Sequence, residues 1–120
     1  KHTKGSYYMK KIEAIIRPEK LEELKVKLMN AGITGITISQ VNGCGHQKGF
    51  TKKIRGNDVY LNTLYKVCVM TVVPDEKMDE VVDIIIDVDR TEKIGDGKIF
   101  ISDIDECIRI RTGEKGEKAL

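Results

Sequence analysis

The chain has 120 residues, 40% hydrophobic and 33% charged, with two prolines, which suffices for one compact domain with a core and leaves no room for a second. No apolar run of about 18 residues occurs, which excludes a membrane-spanning helix, and no apolar signal core opens the chain. Lys and Arg number 21 against 19 Asp and Glu, but Lys1 and Lys4 sit in a polar leader, KHTKGSYY, ahead of Met9-Lys10-Lys11-Ile12, which reads as a native start. Residues 1–8 are therefore expected to be a tag-like or disordered extension and 9–120 a balanced domain, a poor match to sequence-independent nucleic-acid binding, which needs positive charge.

Residues 10–17 alternate as a strand, with Ile12, Ala14 and Ile16 on one face, and Pro18 closes it. Pro18-Glu19-Lys20 suits a helix start, Leu21, Leu24, Leu28 and Ala31 form the apolar stripe, and Gly32 is the stop. A second strand follows over 35–42. From Gly43 to about Leu64 the periodicity dissolves into a long basic loop carrying His46, Lys48, Lys52, Lys53 and Arg55 against one acid, Asp58.

Lys66–Val73 is apolar on both faces, so both require cover, and two helices cover only one; the other face is expected to meet another subunit. Residues 75–89 form the second helix, striped by Met78, Val81, Val82 and Ile85. A turn over 91–98 leads into a strand expected over 99–102 and continuing over 107–111. The order βαββαβ predicts an α+β, ferredoxin-like antiparallel sheet with both helices on one face.

Gly95-Asp96-Gly97-Lys98 can form a backbone anion nest with a lysine beside it; it lacks the spacing of a P-loop, and a plain turn with a solvated lysine is the other reading. Arg109 and Arg111, two apart on the expected strand, would project from one side while Ile108 and Ile110 anchor the other. Two adjacent guanidiniums fit a polyanion such as a triphosphate, and two exposed surface arginines are the alternative. The glycine cluster 43–49 fails the dinucleotide fingerprint because Lys48 stands where glycine is required, which leaves a loose cradle or a hinge. Cys44, Cys68 and Cys107 have neither a C-x-x-C pair nor metal-ligand spacing, and they read as reduced thiols, Cys68 and Cys107 as packing residues. Cys44 and His46 have no orienting third group, so no catalytic triad is assembled.

TEKIGDGKIFIS at 91–102, IRIRTGEKGEKAL at 108–120, KKIEAIIRPEKLEELK at 10–25 and GITGITISQVNGCGHQKG at 32–49 together resemble the P-II nitrogen-regulatory signal-transduction proteins over 9–120. The resemblance implies a homotrimer with ATP or ADP in three clefts between subunits. On the phosphate side it implies Gly95, Asp96, Gly97 and Lys98 from one subunit and Arg109 and Arg111 from its neighbour, with Thr37, Gly45, His46, Gln47 and Val72 lining the nucleotide and Val72 against the adenine. It further implies Mg2+ held through Gln47 and bridging the ATP phosphates to 2-oxoglutarate, which Gln47, Lys48, Gly49 and Lys66 would hold.

The basic loop, about 45–64, would be the effector T-loop, with Arg55 matching the arginine that relatives insert into an ammonium transporter. The protein would be cytoplasmic and recruited to the membrane by such a transporter or bound to another nitrogen-metabolism protein, with no nucleic-acid partner and no insertion of its own. Val59 and Asn57 stand where relatives carry a uridylylated tyrosine and a phosphorylated serine, so tyrosine uridylylation at the usual position is not expected; His46 replaces a common arginine. The expected role is non-enzymatic signalling, the alternative a small phosphate-ester or acyl-phosphate hydrolase of the same fold.

Overall fold

The computed structural model describes residues 8–46, 52–54, 57–59 and 61–120. Gln47, Lys48, Gly49, Arg55 and most of the expected leader lie outside the described residues. Strand β1 is Met9–Ile16, followed by a 3-10 turn at Pro18–Lys20, helix α1 at Leu21–Asn30 and strand β2 at Ile36–His46. Short strands β3 at Lys52–Ile54 and β4 at Asn57–Val59 pair with each other, β5 is Leu61–Pro74, α2 is Asp75–Asp89 and β6 is Lys98–Ile104. The main sheet runs β2-β5-β1-β6, antiparallel throughout, which is the expected ferredoxin-like topology.

Register explains the layering, because residues directly opposite in antiparallel pairs share a face. Ile12, Ala14 and Ile16 lie opposite Thr71, Val69 and Val67, and this face packs under Leu24 and Leu28 of α1 and Val81, Ile85 and Val88 of α2. Lys10, on the same face near the sheet end, pairs at 2.9 Å with both Asp75 at the start of α2 and Asp103 at the end of β6. Those carboxylates raise the lysine's pKa, Asp103 most. Helix α1 ends where the Ile33 amide donates to the Leu28 carbonyl at 2.9 Å across Gly32. The opposite face carries Ile15, Cys68, Met70, Val72 and Phe100; among the described residues no helix covers it, and Phe100 is 54% exposed.

Two expectations are corrected. The stretch from Gly43 to Leu64 is not a patternless loop: β2 and β5 stay paired from Ile36↔Thr71 out to His46↔Leu61. Since β1 pairs with β5 only from Val67 onward, 41–46 and 61–66 form a two-stranded ribbon projecting past the sheet. Apolar alternation reports burial of one face, and a ribbon with no helix behind it leaves no such mark although its backbone bonds are regular.

The second correction concerns the expected strand over 107–111. Strand β6 ends at Ile104, and the chain makes a tight reversal in which Ile108 bridges Lys115, the Arg109 amide donates to the Glu114 carbonyl at 2.9 Å, and the Gly113 amide donates to the Arg109 carbonyl at 2.7 Å. The alternation IRIR imitates a strand, but the Thr112-Gly113 turn folds it back. Ile110, expected as an anchor, is 99% exposed.

Candidate functional site

The site begins where α2 ends. Asp89 closes the helix, and the chain from Arg90 to Lys98 folds around the carboxylate of Asp96. That carboxylate accepts the Thr91 amide at 2.8 Å, the Thr91 hydroxyl at 2.6 Å, the Glu92 amide at 2.8 Å and the Arg17 guanidinium. These bonds all favour the ionised form, so the Thr91 hydroxyl first and Arg17 second hold Asp96 well below the usual carboxylate range. Arg17 is raised in turn, chiefly by Asp96. Glu92 takes φ 65°, a left-handed conformation unusual for a side chain larger than glycine, inside the ring of bonds that Asp96 closes.

Both glycines of the turn are required. Gly95 sits at φ +107°, with an added Cβ 3.0 Å from the Arg17 guanidinium, and a Cβ at Gly97 would collide with the Ile15 backbone carbonyl. The Lys66 ammonium donates to the Gly95 carbonyl from the neighbouring strand. The expected backbone nest is not presented, however. The Asp96 amide donates to the Lys93 carbonyl at 3.2 Å, and the Gly97 amide donates to the Asp89 carboxylate at 3.2 Å. Asp96 is likewise engaged inside the turn, so its part is to shape the turn, and Lys98 at the head of β6 is the exposed cation that follows it.

A cleft of about 410 Å³ opens in front of this turn, walled by Lys66, Leu64 and Phe100 and floored by Ile15. That volume lies within the range of small-ligand sites, and two ammonium groups beside apolar walls suit an anion with an attached ring or chain. A smaller hollow of 150 Å³ lies behind the turn against Ile85, Ile86 and Asp89.

The remaining predicted residues are elsewhere. Val72 is six residues beyond Lys66 on β5, about 20 Å away at strand rise, and lines a separate hollow of 270 Å³ with Gly35, Lys77 and Leu120. Thr37 is exposed on β2 opposite Met70. Arg109 donates to the Glu114 carboxylate at 3.0 Å and to the Leu120 carbonyl at 3.2 Å, and Arg111 is exposed with no ion pair or hydrogen bond among the described residues. Gly45 and His46 lie on the ribbon, opposite Asn62 and Leu61, while Asn57 and Val59 fall on β4.

One chain thus holds two groups of predicted residues, at different ends of its sheet. Sequence reasoning missed Arg17, Thr91 and Asp89. Only Asp89 left a signal, an acid four residues after Ile85 on the buried stripe of α2.

Fold and site together define a small ferredoxin-like protein with a charged glycine turn facing one cleft and two arginines, Arg109 and Arg111, outside its lining. The family model for nitrogen regulatory protein P-II matches residues 9–114. The chain belongs to that family. It is 55% identical over 112 residues to the nitrogen regulatory protein P-II of Nostoc punctiforme, covering 93% of this chain and all of the relative. It is 52% identical over 113 residues to nitrogen regulatory protein P-II 2 of Methanothermobacter thermautotrophicus, covering 94% of this chain and 98% of the relative. Among solved structures it is similar to the B. subtilis GlnK–ATP complex (TM-score 0.79, 36% identity, 99% of this chain and 100% of that one). It is also similar to Arabidopsis thaliana P-II bound to citrate (TM-score 0.76, 37% identity, 95% and 94%).

Proposed function

We propose that the protein is a non-enzymatic, homotrimeric nitrogen sensor that binds ATP or ADP between copies. The observation that carries this reading is the split site: the glycine turn with Lys98 and Lys66 lines one cleft, while Arg111 stands exposed at another end of the same chain. A head-to-tail ring brings the two groups together and covers the apolar sheet face in the same step. A B. subtilis relative solved with ATP supports the nucleotide. In this reading Gly95, Asp96, Gly97 and Lys98 face the phosphates together with Arg109 and Arg111 of the next copy, and Thr37, Gly45, His46, Gln47 and Val72 line the rest.

An enzymatic role finds little support at the turn. The Thr91 hydroxyl does touch a carboxylate, but Asp96 is held so far toward its ionised form that it is a weak proton acceptor. Among the described residues no group of three or more His, Cys, Asp or Glu could hold a metal. In this reading Gln47 would offer an amide oxygen to a Mg2+ that arrives with the nucleotide, a donor that suits a hard cation carried by phosphates. Bound there, the ion would supply positive charge between the phosphates and the 2-oxoglutarate held by Gln47, Lys48, Gly49 and Lys66. A plant relative solved with citrate, itself a polycarboxylate, supports an oxo-acid effector. The ribbon and its basic tip with Arg55 are the element offered to targets such as an ammonium transporter, in a protein that works in the cytoplasm. No helix among the described residues is long and apolar enough to cross a membrane.

Subunit mixing tests the reading. Lys98→Ala and Arg111→Ala each bind ATP about tenfold or more weakly in calorimetry, and random mixed trimers of the two regain the original affinity at about a quarter of the sites, since a site built from two copies is intact only where each supplies its unaltered half. No recovery on mixing, or full ATP binding by a monomer in light scattering, overturns it.

A further inference from the structure

Asp89 is the one buried carboxylate in the described core, 6% exposed on the stripe of α2 otherwise made of Val81, Ile85 and Val88. It stands at the helix C-terminus, where the dipole disfavours an anion, and burial adds a cost that only hydrogen bonds offset. Its two oxygens are divided between two elements: one accepts the Arg17 amide at 3.1 Å at the end of β1, the other the Gly97 amide at 3.2 Å. The Asp89 backbone carbonyl also accepts the Arg17 guanidinium at 3.4 Å.

The glycine turn needs such a brace. Asp96, Gly97 and Lys98 line both the 410 Å³ cleft in front and the 150 Å³ hollow behind, so the turn is a wall with space on each side, held by a few close contacts. Gly97 is pressed against the Ile15 carbonyl on one side and tied through its amide to Asp89. Lys98 follows directly, so whatever fixes the Gly97 peptide fixes where the lysine leaves the sheet.

We propose that Asp89 is a positioning residue for phosphate binding, its paired oxygens fixing the Gly97 peptide and the end of β1 so that Lys98 and the glycine turn are preset for a nucleotide polyphosphate. The inference rests on the nucleotide reading above.

The test uses the full chain. ATP dissociation constants and thermal midpoints are measured for wild type, Asp89→Asn, Asp89→Glu and Val81→Ala, with amide hydrogen exchange followed at Gly97. Asparagine keeps the shape but offers one acceptor and one NH2, which sets a donor against one of the two amides. Asp89→Asn is expected to bind ATP about tenfold more weakly, the effect of one buried donor left unpaired, and to exchange faster at Gly97. Asp89→Glu, with two oxygens and the hollow to take its extra methylene, regains most of the affinity. Val81→Ala lowers the midpoint and leaves ATP affinity unchanged.

Wild-type affinity in Asp89→Asn, with a midpoint lowered as in Val81→Ala, overturns the inference and leaves the nucleotide reading standing. Absence of ATP binding by the wild type overturns that reading and the inference with it. If Asp89→Asn does not fold, Asp89→Ser replaces it, with the same expected loss.

Discussion

The glycine turn and the arginine reversal carry equal weight in the sequence, yet they are built differently. The turn is wired within the chain: Asp96 with Thr91, Glu92 and Arg17, Asp89 with Gly97, Lys66 with Gly95. At the reversal Arg109 is held by the Glu114 carboxylate and the Leu120 carbonyl, whereas Arg111 and Ile110 are exposed. The first region is wired together within the chain, and the second leaves Ile110 and Arg111 exposed. Stability and ligand affinity should therefore respond separately to substitutions in the two places.

The largest effect is expected at Gly97→Ala. Its Cβ meets backbone of β1 and no side chain can move aside, so the variant should lose about 3 kcal/mol or more in denaturant unfolding; a midpoint near wild type would break the account of a turn fixed by close approach. Arg111→Ala should leave unfolding within about 0.5 kcal/mol while costing ATP binding about 1.5–3 kcal/mol in calorimetry. A stability loss without an affinity loss there would erase the contrast between the regions.

Gly95→Ala comes next. It forces an L side chain to φ +107° against Arg17 and should destabilise by about 1–2 kcal/mol. The smallest effect is a change of slope. Asp96 is depressed in the folded chain, so its contribution is present above the ordinary carboxylate value of 3.8 and is lost as pH falls through the lower folded value. Asp96→Asn should be less stable at neutral pH and show a shallower fall in thermal midpoint below pH 4 than wild type. Parallel curves would mean that the carboxylate's charge is not what holds the turn.

The helices and the order of elements were legible because burial writes its period into sequence: α2 was read with the bounds it has, and β1 to within one residue at each end. The motif Gly95–Lys98 was legible as a turn with a cation. Its internal wiring was not, because Arg17, Asp89 and Thr91 approach Asp96 and Gly97 from different elements, and no spacing along the chain records such a meeting.

By itself, then, the sequence determined the ferredoxin-like order, the core stripes and the family, all of which depend on local periodicity or on the identity of residues in line. Only the tertiary structure decided that the central basic segment begins and ends as a paired ribbon, that Ile108–Arg111 folds back, and that the nest amides of Asp96 and Gly97 are already bonded. The reason is the same in each case. Backbone hydrogen bonds have one chemistry at every residue, so which of them form is settled by what comes near in space and not by which side chain stands next in the chain.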